Sequence, residues 1–414
     1  MQLMSLRDKT NKAKTLGRAV LYISYDGMLE PLGQSQVICY LEKISVQRKI
    51  YLISFEKKHD LRGESQLDTI RKRIEGAGIT WIRLRYHKTP TLLATFFDVV
   101  IGCIIAAHLV YRHRIIIVHA RSYVASLIAL FLKKISSVKF IFDMRGFWID
   151  ERVDAGLWKD NGVIYKCAKR IEQEFFLRSD HIVSLTNTAV ADIKNLPYLK
   201  KCNLSISVIP TCVDTNHFAL SEPTSEFGAA FVLGYVGSVG TWYLFDHVLQ
   251  CFARLLVRNP DAILFIVNRN QHGAINVLLE QFKIPAASVR LIKAEHADMP
   301  KIMARMNAGI FFIKNTFSKR ASSPTRLAEY LSLGLPCLTN SGIGDVDQVL
   351  TKNEIGILVR SYSDLDLDDA MNRLIMLSRS YQIRERCRMV AEQEFSLVEG
   401  VRRYEAIYQE LQHS

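Results

Sequence analysis

The chain has 414 residues, 49% hydrophobic and 23% charged, a balance that suits two domains with full cores and excludes a disordered or fibrous chain. Its eight cysteines are scattered without CxxC or metal-ligand spacing, which argues for a reducing compartment and against a zinc site. The net charge of +13 lies wholly in the first half: residues 1–213 carry 33 Lys and Arg against 19 Asp and Glu, residues 214–414 carry 21 against 22. Such an excess fits a solvated basic face or attraction to an anionic membrane; no nucleic-acid-binding motif accompanies it.

Met1 to Gly17 is polar and basic, without the apolar core of a signal peptide. Arg18 to Ser24 reads as a strand, followed by the loop Tyr25 to Gly33 and a helix from about Gln34, a strand–glycine loop–helix unit without the GxGxxG pattern. Strands at 49–55 and 79–84 flank a helix at 61–76, and this alternation predicts a parallel, doubly wound sheet. Residues 91–111 are largely apolar and long enough to span a bilayer. Basic flanks on both sides (Arg83, Arg85 and Lys88; Arg112 and Arg114) argue against spanning, as does Asp98, which would cost roughly 3 kcal/mol in hydrocarbon. A buried helix and one dipping a face into the membrane interface both remain open. Strands at 114–119 and 138–142 enclose a helix at 121–133. The second strand ends at Asp143-Met144-Arg145, where ligands gather in such sheets. Asp143 and Arg145 fit a binding pair or a structural ion pair. The dense polar run Asp150-Glu151-Arg152-Val153-Asp154 reads as facing the same region, and an amphipathic helix is expected over 157–178, then a strand at 181–185, a helix at 187–195 and a last strand at 206–210.

The rhythm restarts after the polar stretch Ser221 to Gly228. A strand at 231–236 runs into Gly237-Ser238-Val239-Gly240, a loop suited to cradling a phosphate before a helix near Tyr243. Strands at 262–268, 289–293 and 309–313 follow, with helices at 274–282 and 299–306, and a basic loop, Lys314 to Arg320, leads to Ser322 and Ser323 as candidate helix caps. Pro324 suits a first helical turn. The free N–H groups of the helix start at Ser323, Pro324 and Thr325 (Pro324 itself offering none), the helix dipole and the forked cation of Arg326 make a setting for a diphosphate. Glu329, three residues on, shares Arg326's face and can accept hydrogen bonds from ribose hydroxyls. The same pattern also fits a surface helix with an Arg–Glu pair. Gly334-Leu335-Pro336 turns the chain into a strand at 337–340, and Gly342-Ile343-Gly344-Asp345 makes a second glycine loop before a helix. A strand at 355–359 and three helices, 364–377, 380–393 and 397–411, complete the chain.

The run Ser323-Pro324-Thr325-Arg326-Leu327-Ala328-Glu329-Tyr330-Leu331, with Gly334-Leu335-Pro336 and Gly342-Ile343-Gly344-Asp345, resembles the donor-binding segment of glycosyltransferase family 4, retaining enzymes of GT-B fold that use nucleotide sugars. The resemblance covers nearly the whole chain. It implies that Gly33 and Gln34 approach the donor phosphates or the acceptor, and that the backbone at Lys293 and Ala294 holds the nucleotide base. It also implies an interdomain linker at Ile209 to Phe218, and a last helix that crosses back to the first domain on Phe395, Val401, Tyr404 and Tyr408. Three departures stand out. Arg145 occupies the place of a common histidine, Ser238 that of an arginine in a loop that also lacks the usual lysine, and Ala321 that of the first glutamate of a pair whose second is Glu329. Arg326 is then the obvious substitute cation.

The resulting expectation is an α/β chain of two Rossmann-like, doubly wound domains facing across a cleft. Residues 1–213 would bind the acceptor, 214–395 the nucleotide sugar, and 396–414 would form the crossing helix. The activity implied is retaining, metal-independent transfer of a hexose, without cofactor, from a nucleotide sugar to a saccharide or lipid-linked saccharide in surface polysaccharide synthesis. Asp143, Arg145, Arg326 and Glu329 would serve catalysis and Asp150, Glu151 and Arg152 the acceptor, with the protein cytoplasmic at the inner face of an anionic membrane. A nucleotide-sugar epimerase of the same fold and a non-catalytic nucleotide-sugar or membrane-binding protein are the alternatives.

Overall fold

A computed structural model describes residues 17–221 and 226–414. The basic run before Gly17 and positions 222–225 of the expected boundary stretch lie outside them. The chain forms two compact units. The first comprises residues up to Ser184, Val190–Ile209 and Gly400–Ser414; the second comprises Leu185–Ala189 and Pro210–Glu399.

The first unit is built on seven parallel strands, β1 (Gly17–Ser24), β2 (Arg48–Glu56), β3 (Thr80–Arg85), β4 (Ile117–Arg121), β5 (Lys139–Asp143), β6 (His181–Ser184) and β7 (Ile206–Val208), in the order β3-β2-β1-β4-β5-β6-β7. The central strands are buried on both faces, which is why they read as nearly continuous apolar runs. Strand order reverses between β1 and β4, and register sets Ser24, Arg121 and Asp143 abreast at the carboxyl edge of β1, β4 and β5. The helix Leu397–His413 belongs to this unit from Gly400 onward. Glu405 there pairs with buried Arg48 at 2.6 Å, Tyr404 donates to Asp143 Oδ2 at 2.9 Å, and Tyr408 Oη lies 2.6 Å from His119 Nδ1.

The long apolar segment is one helix, Thr91–His113, long and apolar enough by length and composition to cross a membrane. Asp98 does not face outward as the hydrocarbon argument assumes. It is 1% exposed, accepts hydrogen bonds from Tyr25 Oη at 2.9 Å and the His87 N–H at 3.0 Å, and lies 2.5 Å from His87 Nδ1. The opposite stripe, Leu93, Phe96, Phe97, Val100, Ile104 and Tyr111, is exposed. The following strand starts three residues later than expected because Arg114, in the left-handed region at φ 50°, caps this helix. The amphipathic helix expected at 157–178 runs from Val163 to Arg178, and the polar run before it forms a short helix of its own, Trp148–Asp154. Gly156 at φ 70° and Asn161 at φ 57° turn the chain between them. The helical stretch after β1 begins at Pro31 rather than Gln34 and passes through one wide π turn, Gln34–Ile38.

The second unit repeats the plan with six parallel strands, β8 (Val232–Val236), β9 (Ile263–Val267), β10 (Val289–Ile292), β11 (Ala308–Ile310), β12 (Cys337–Asn340) and β13 (Gly356–Val359), in the order β10-β9-β8-β11-β12-β13. Apolar cores cover both faces. Phe265, Phe311 and Tyr330 belong to one, and Tyr235, Phe245 and Phe252 to the other. Here the order reverses between β8 and β11, so the loops after these two strands flank the switch point, the place where open α/β sheets bind ligands. Both sheets thus bear out the Rossmann-like, doubly wound architecture.

Candidate active site

At the switch point of the second sheet, β8 runs into Gly237, whose φ is 117°. A Cβ at this position would stand 2.4 Å from Arg326 Nη2, so only glycine lets the guanidinium lie against the loop. Arg326 is 8% exposed. Its guanidinium lies 4.1 Å from the Tyr243 ring centroid, with Tyr235 and Phe311 farther off, a set of aromatic faces that suits a cation removed from water. Its Nη1 is buried without a hydrogen-bond partner. A buried charged donor with nothing to bind is costly and rare outside ligand sites.

The loop around it is fixed from below. Asn268 Nδ2 donates to the Gly237 carbonyl at 2.9 Å, the Val239 N–H donates to Gln271 Oε1 at 2.9 Å, and Tyr235 Oη donates to the Ser238 carbonyl at 2.6 Å. A second cation, Lys319 of the short helix Phe317–Ala321, is 7% exposed with Nζ 3.8 Å from the Trp242 ring centroid. The sequence marked the loop 314–320 as basic but gave no way to tell which cation turns inward. Ala321 beside it is fully buried, so no carboxylate stands at that place.

The helix Thr325–Ser332 begins one residue later than its serines suggest. Pro324 is the N-cap rather than a first-turn residue, and no side chain caps the helix. Ser323 Oγ instead accepts the Thr211 N–H at 3.1 Å. The first-turn N–H groups at Thr325 and Arg326 therefore keep no side-chain acceptor. Gly344, at φ 46°, packs where a Cβ would meet the Ser322 carbonyl oxygen at 2.2 Å, and its N–H donates to the Lys319 carbonyl at 3.0 Å. The second glycine loop thus holds the segment that carries Lys319 and Ser322 in place. Glu329 is partly buried, and burial pushes its carboxyl up from 4.5 to about 7 against the pull of Arg326. Lys293 is exposed and Ala294 half-buried, just beyond the carboxyl end of β10.

In the first unit, Asp143 is fully buried. Burial pushes its carboxyl up, but Arg145, His119 and Arg121 together hold it below the usual carboxylate value. Its Oδ2 takes the Tyr404 hydroxyl and lies 3.4 Å from His119 Nε2, and burial holds His119 neutral. Arg145, in the left-handed region at φ 57°, reaches no closer than 4.0 Å to Asp143 Oδ1.

Three expected residues turn out to be engaged elsewhere. Asp150 is 8% exposed, pairs with Lys169 at 3.1 Å and accepts from Tyr165 Oη at 2.9 Å, so it belongs to a buried ion cluster with Glu172 rather than to an open acceptor surface. Arg152 stacks on Trp148, its guanidinium 4.7 Å from the ring centroid, and Glu151 sits half-buried in the same short helix. Gln34 Nε2 donates to the Leu29 carbonyl at 3.2 Å. Gly33 is required by the loop itself, since a Cβ would fall 2.1 Å from the Gly27 carbonyl oxygen. The organiser of that loop is Glu56, unforeseen in the sequence, which accepts the N–H groups of Met28 and Leu29 at 2.8 and 3.3 Å. Among the described residues, no group of three or more His, Cys, Asp or Glu is arranged to hold a metal ion.

Residues 219–393 match the family model described as "Glycosyl transferases group 1". No curated protein matches. Among solved structures the chain is similar to a glycosyltransferase from Rickettsia africae (14% identity, TM-score 0.71, covering 95% of this chain and 98% of that one). It is also similar to HepE from Anabaena in complex with UDP and glucose (11%, 0.68, 95% and 100%) and to the lipopolysaccharide outer core galactosyltransferase WaaB (13%, 0.64, 95% and 99%). The fold is that of GT-B glycosyltransferases, and the family match over most of the second unit supports a glycosyltransferase.

Two outcomes test this geometry. Gly237→Ala forces a side chain into a left-handed conformation against Arg326 and is expected to cost about 1–3 kcal/mol of stability; an unchanged urea midpoint contradicts the packing. Folded Glu329 keeps its proton where the unfolded chain has released it, so this group's contribution to stability falls as pH rises from about 4.5 to about 7. Glu329→Gln is expected to flatten that fall in urea midpoints taken at pH 5 and 7.5, and an identical pH dependence in both proteins contradicts the assignment.

Proposed function

We propose that the protein is a retaining, metal-independent glycosyltransferase that moves a hexose from a nucleotide sugar to a saccharide or lipid-linked saccharide in surface polysaccharide synthesis. The observation that carries this reading is the buried, unpartnered Nη1 of Arg326 beside Gly237 at the switch point of the second sheet. Diphosphate oxygens would meet a fork of N–H donors there, with the free N–H groups of the Thr325–Ser332 helix start and the nearby charge of Lys319 adding to it. As the glycosidic bond to the diphosphate breaks, negative charge grows on the leaving oxygens, and preorganised donors in a water-poor site stabilise that charge more than water does. In this reading Glu329 accepts ribose hydroxyls, and Lys293 and Ala294 border the base. The neighbour solved with UDP and glucose supports a nucleotide-sugar donor, and the galactosyltransferase supports a hexose and a surface saccharide. In this reading the acceptor attacks from the face the leaving group vacates, guided by the departing diphosphate.

The purified chain should be stabilised against heat by its donor, by mass action, with UDP-sugars the first to try. Arg326→Ala is expected to lose transfer by at least a hundredfold while remaining folded. Product formed with inverted configuration, loss of activity to a chelator, or full activity in Arg326→Ala each contradicts a part of the reading.

The proposed place of work is the inner face of the cytoplasmic membrane. Supporting this, the exposed stripe of the Thr91–His113 helix is apolar from Leu93 to Ile104, with exposed His108 interrupting it before Tyr111. Exposed Arg83, Arg85 and Lys88 precede it and Arg112 and Arg114 follow it. The adjacent helix Ser122–Ile135 adds exposed Phe131, Lys134 and Ile135. Apolar side chains rimmed by cations suit shallow insertion into an anionic leaflet. Vesicles of phosphatidylglycerol should bind the protein, and Phe96→Glu with Ile104→Glu should weaken binding at least tenfold. Equal binding to neutral vesicles, or dimerisation through this stripe in place of vesicle binding, contradicts the membrane reading.

A further inference from the structure

We infer that the carboxyl edge of the first sheet holds a phosphate or diphosphate group between the guanidinium groups of Arg121 and Arg145, and that the acceptor therefore carries such a group; the word acceptor rests on the transferase reading above. Arg121 ends β4 and Arg145 stands two residues beyond the end of β5, at the reversal of strand order. Arg121 is 3% exposed, and its Nε has no hydrogen-bond partner. Its nearest ion-pair partner, Asp26 Oδ2, stands 3.9 Å away on a half-exposed side chain, and the register neighbour Asp143 feels its charge without a hydrogen bond from it. Arg145 faces Asp143 Oδ1 at 4.0 Å, too far for a hydrogen bond, and that oxygen is itself buried and unpartnered.

The same sheet contains its own control. Arg48 is also buried, at 2% exposed, yet it donates from Nε and Nη2 to both oxygens of Glu405 at 2.6 to 3.1 Å. A buried guanidinium placed only for packing is satisfied in this way. Arg121 is not, and half-buried Arg145, which reaches no carboxylate closer than 4.0 Å, stands by the same edge: the charges of both act on Tyr22 and His119. The helix Ser122–Ile135 starts directly after Arg121 with no side-chain cap, so its first-turn N–H groups and dipole favour a negative charge at the same place. Two forked cations and a helix start outweigh the single buried carboxylate, whose Oδ2 already accepts from Tyr404. Phosphate oxygens supply what these donors lack, and phosphoryl groups are recognised by bidentate guanidinium contacts.

The test uses the full-length protein with saturating UDP, so that the Arg326 site is occupied. Inorganic pyrophosphate is then titrated in a calorimeter. Expected is one equivalent of binding, weakened at least tenfold by Arg121→Gln and by Arg145→Gln, with Arg121→Lys intermediate because charge is kept and the fork is lost. Far-UV circular dichroism verifies that each variant is folded. Replacing pyrophosphate by geranyl diphosphate or by glucose 1-phosphate identifies the source: tighter binding of the first points to a lipid carrier, of the second to a soluble sugar phosphate. No pyrophosphate binding, binding indifferent to both substitutions, or equal binding of glucose without a phosphate overturns the inference. If UDP itself does not bind, the donor reading fails, and the titration is repeated in Arg326→Ala, where the phosphate site stands or falls alone.

Discussion

A guanidinium held out of water without an acceptor is the constraint around which the second unit is arranged. Arg326 cannot shed its proton, so burying it commits the fold to supplying an anion or to bearing the cost. Nearly everything around it follows. Gly237 has no side chain because the guanidinium occupies that space. Three aromatic rings surround the charge, and its Nη1 still has no partner. Asn268, Gln271 and Tyr235 fix the loop so that its glycine cannot close over the cation. Each contact makes sense if the missing partner is a bound anion and little sense if it is not.

The first unit uses the same device at the equivalent place. Its sheet also reverses strand order beside β1, and the side chains that end β4 and follow β5 are again cations, Arg121 with a buried Nε unpartnered and Arg145 4.0 Å from its carboxylate. The C-terminal helix completes this edge: Tyr404 and Tyr408 engage Asp143 and His119, leaving the arginines as the polar groups still open. The satisfied Arg48–Glu405 pair is the contrast on which the phosphate proposal for this edge rests.

Much of this was legible in the chain because it is local. Thirteen strands and their alternation with helices follow from runs such as Ile50 to Phe55 and Ala262 to Asn268, whose β-branched and aromatic residues admit few other readings. Arg326 and Gly237 stood out through the helix start and the glycine loop. What escaped was set by pairing across the sequence. Asp150 looked like an open carboxylate until Lys169, 19 residues away, took it. Asp98 looked like a charge facing lipid until His87 and Tyr25 claimed it from the segments that follow β3 and β1. Lys319 was one of several cations in a loop, and only the fold turns it onto Trp242. Arg121, at the end of an apolar strand, carried no signal beyond its position; its meaning lies in what it fails to touch.

The most direct measurement is a crystal structure of the protein with a bound nucleoside diphosphate. The account expects diphosphate oxygens within hydrogen-bonding distance of Arg326 Nη1 and of the first-turn N–H groups of the Thr325–Ser332 helix, against the loop that begins at Gly237. A nucleotide seated elsewhere, with Arg326 Nη1 still lacking a partner, would contradict it.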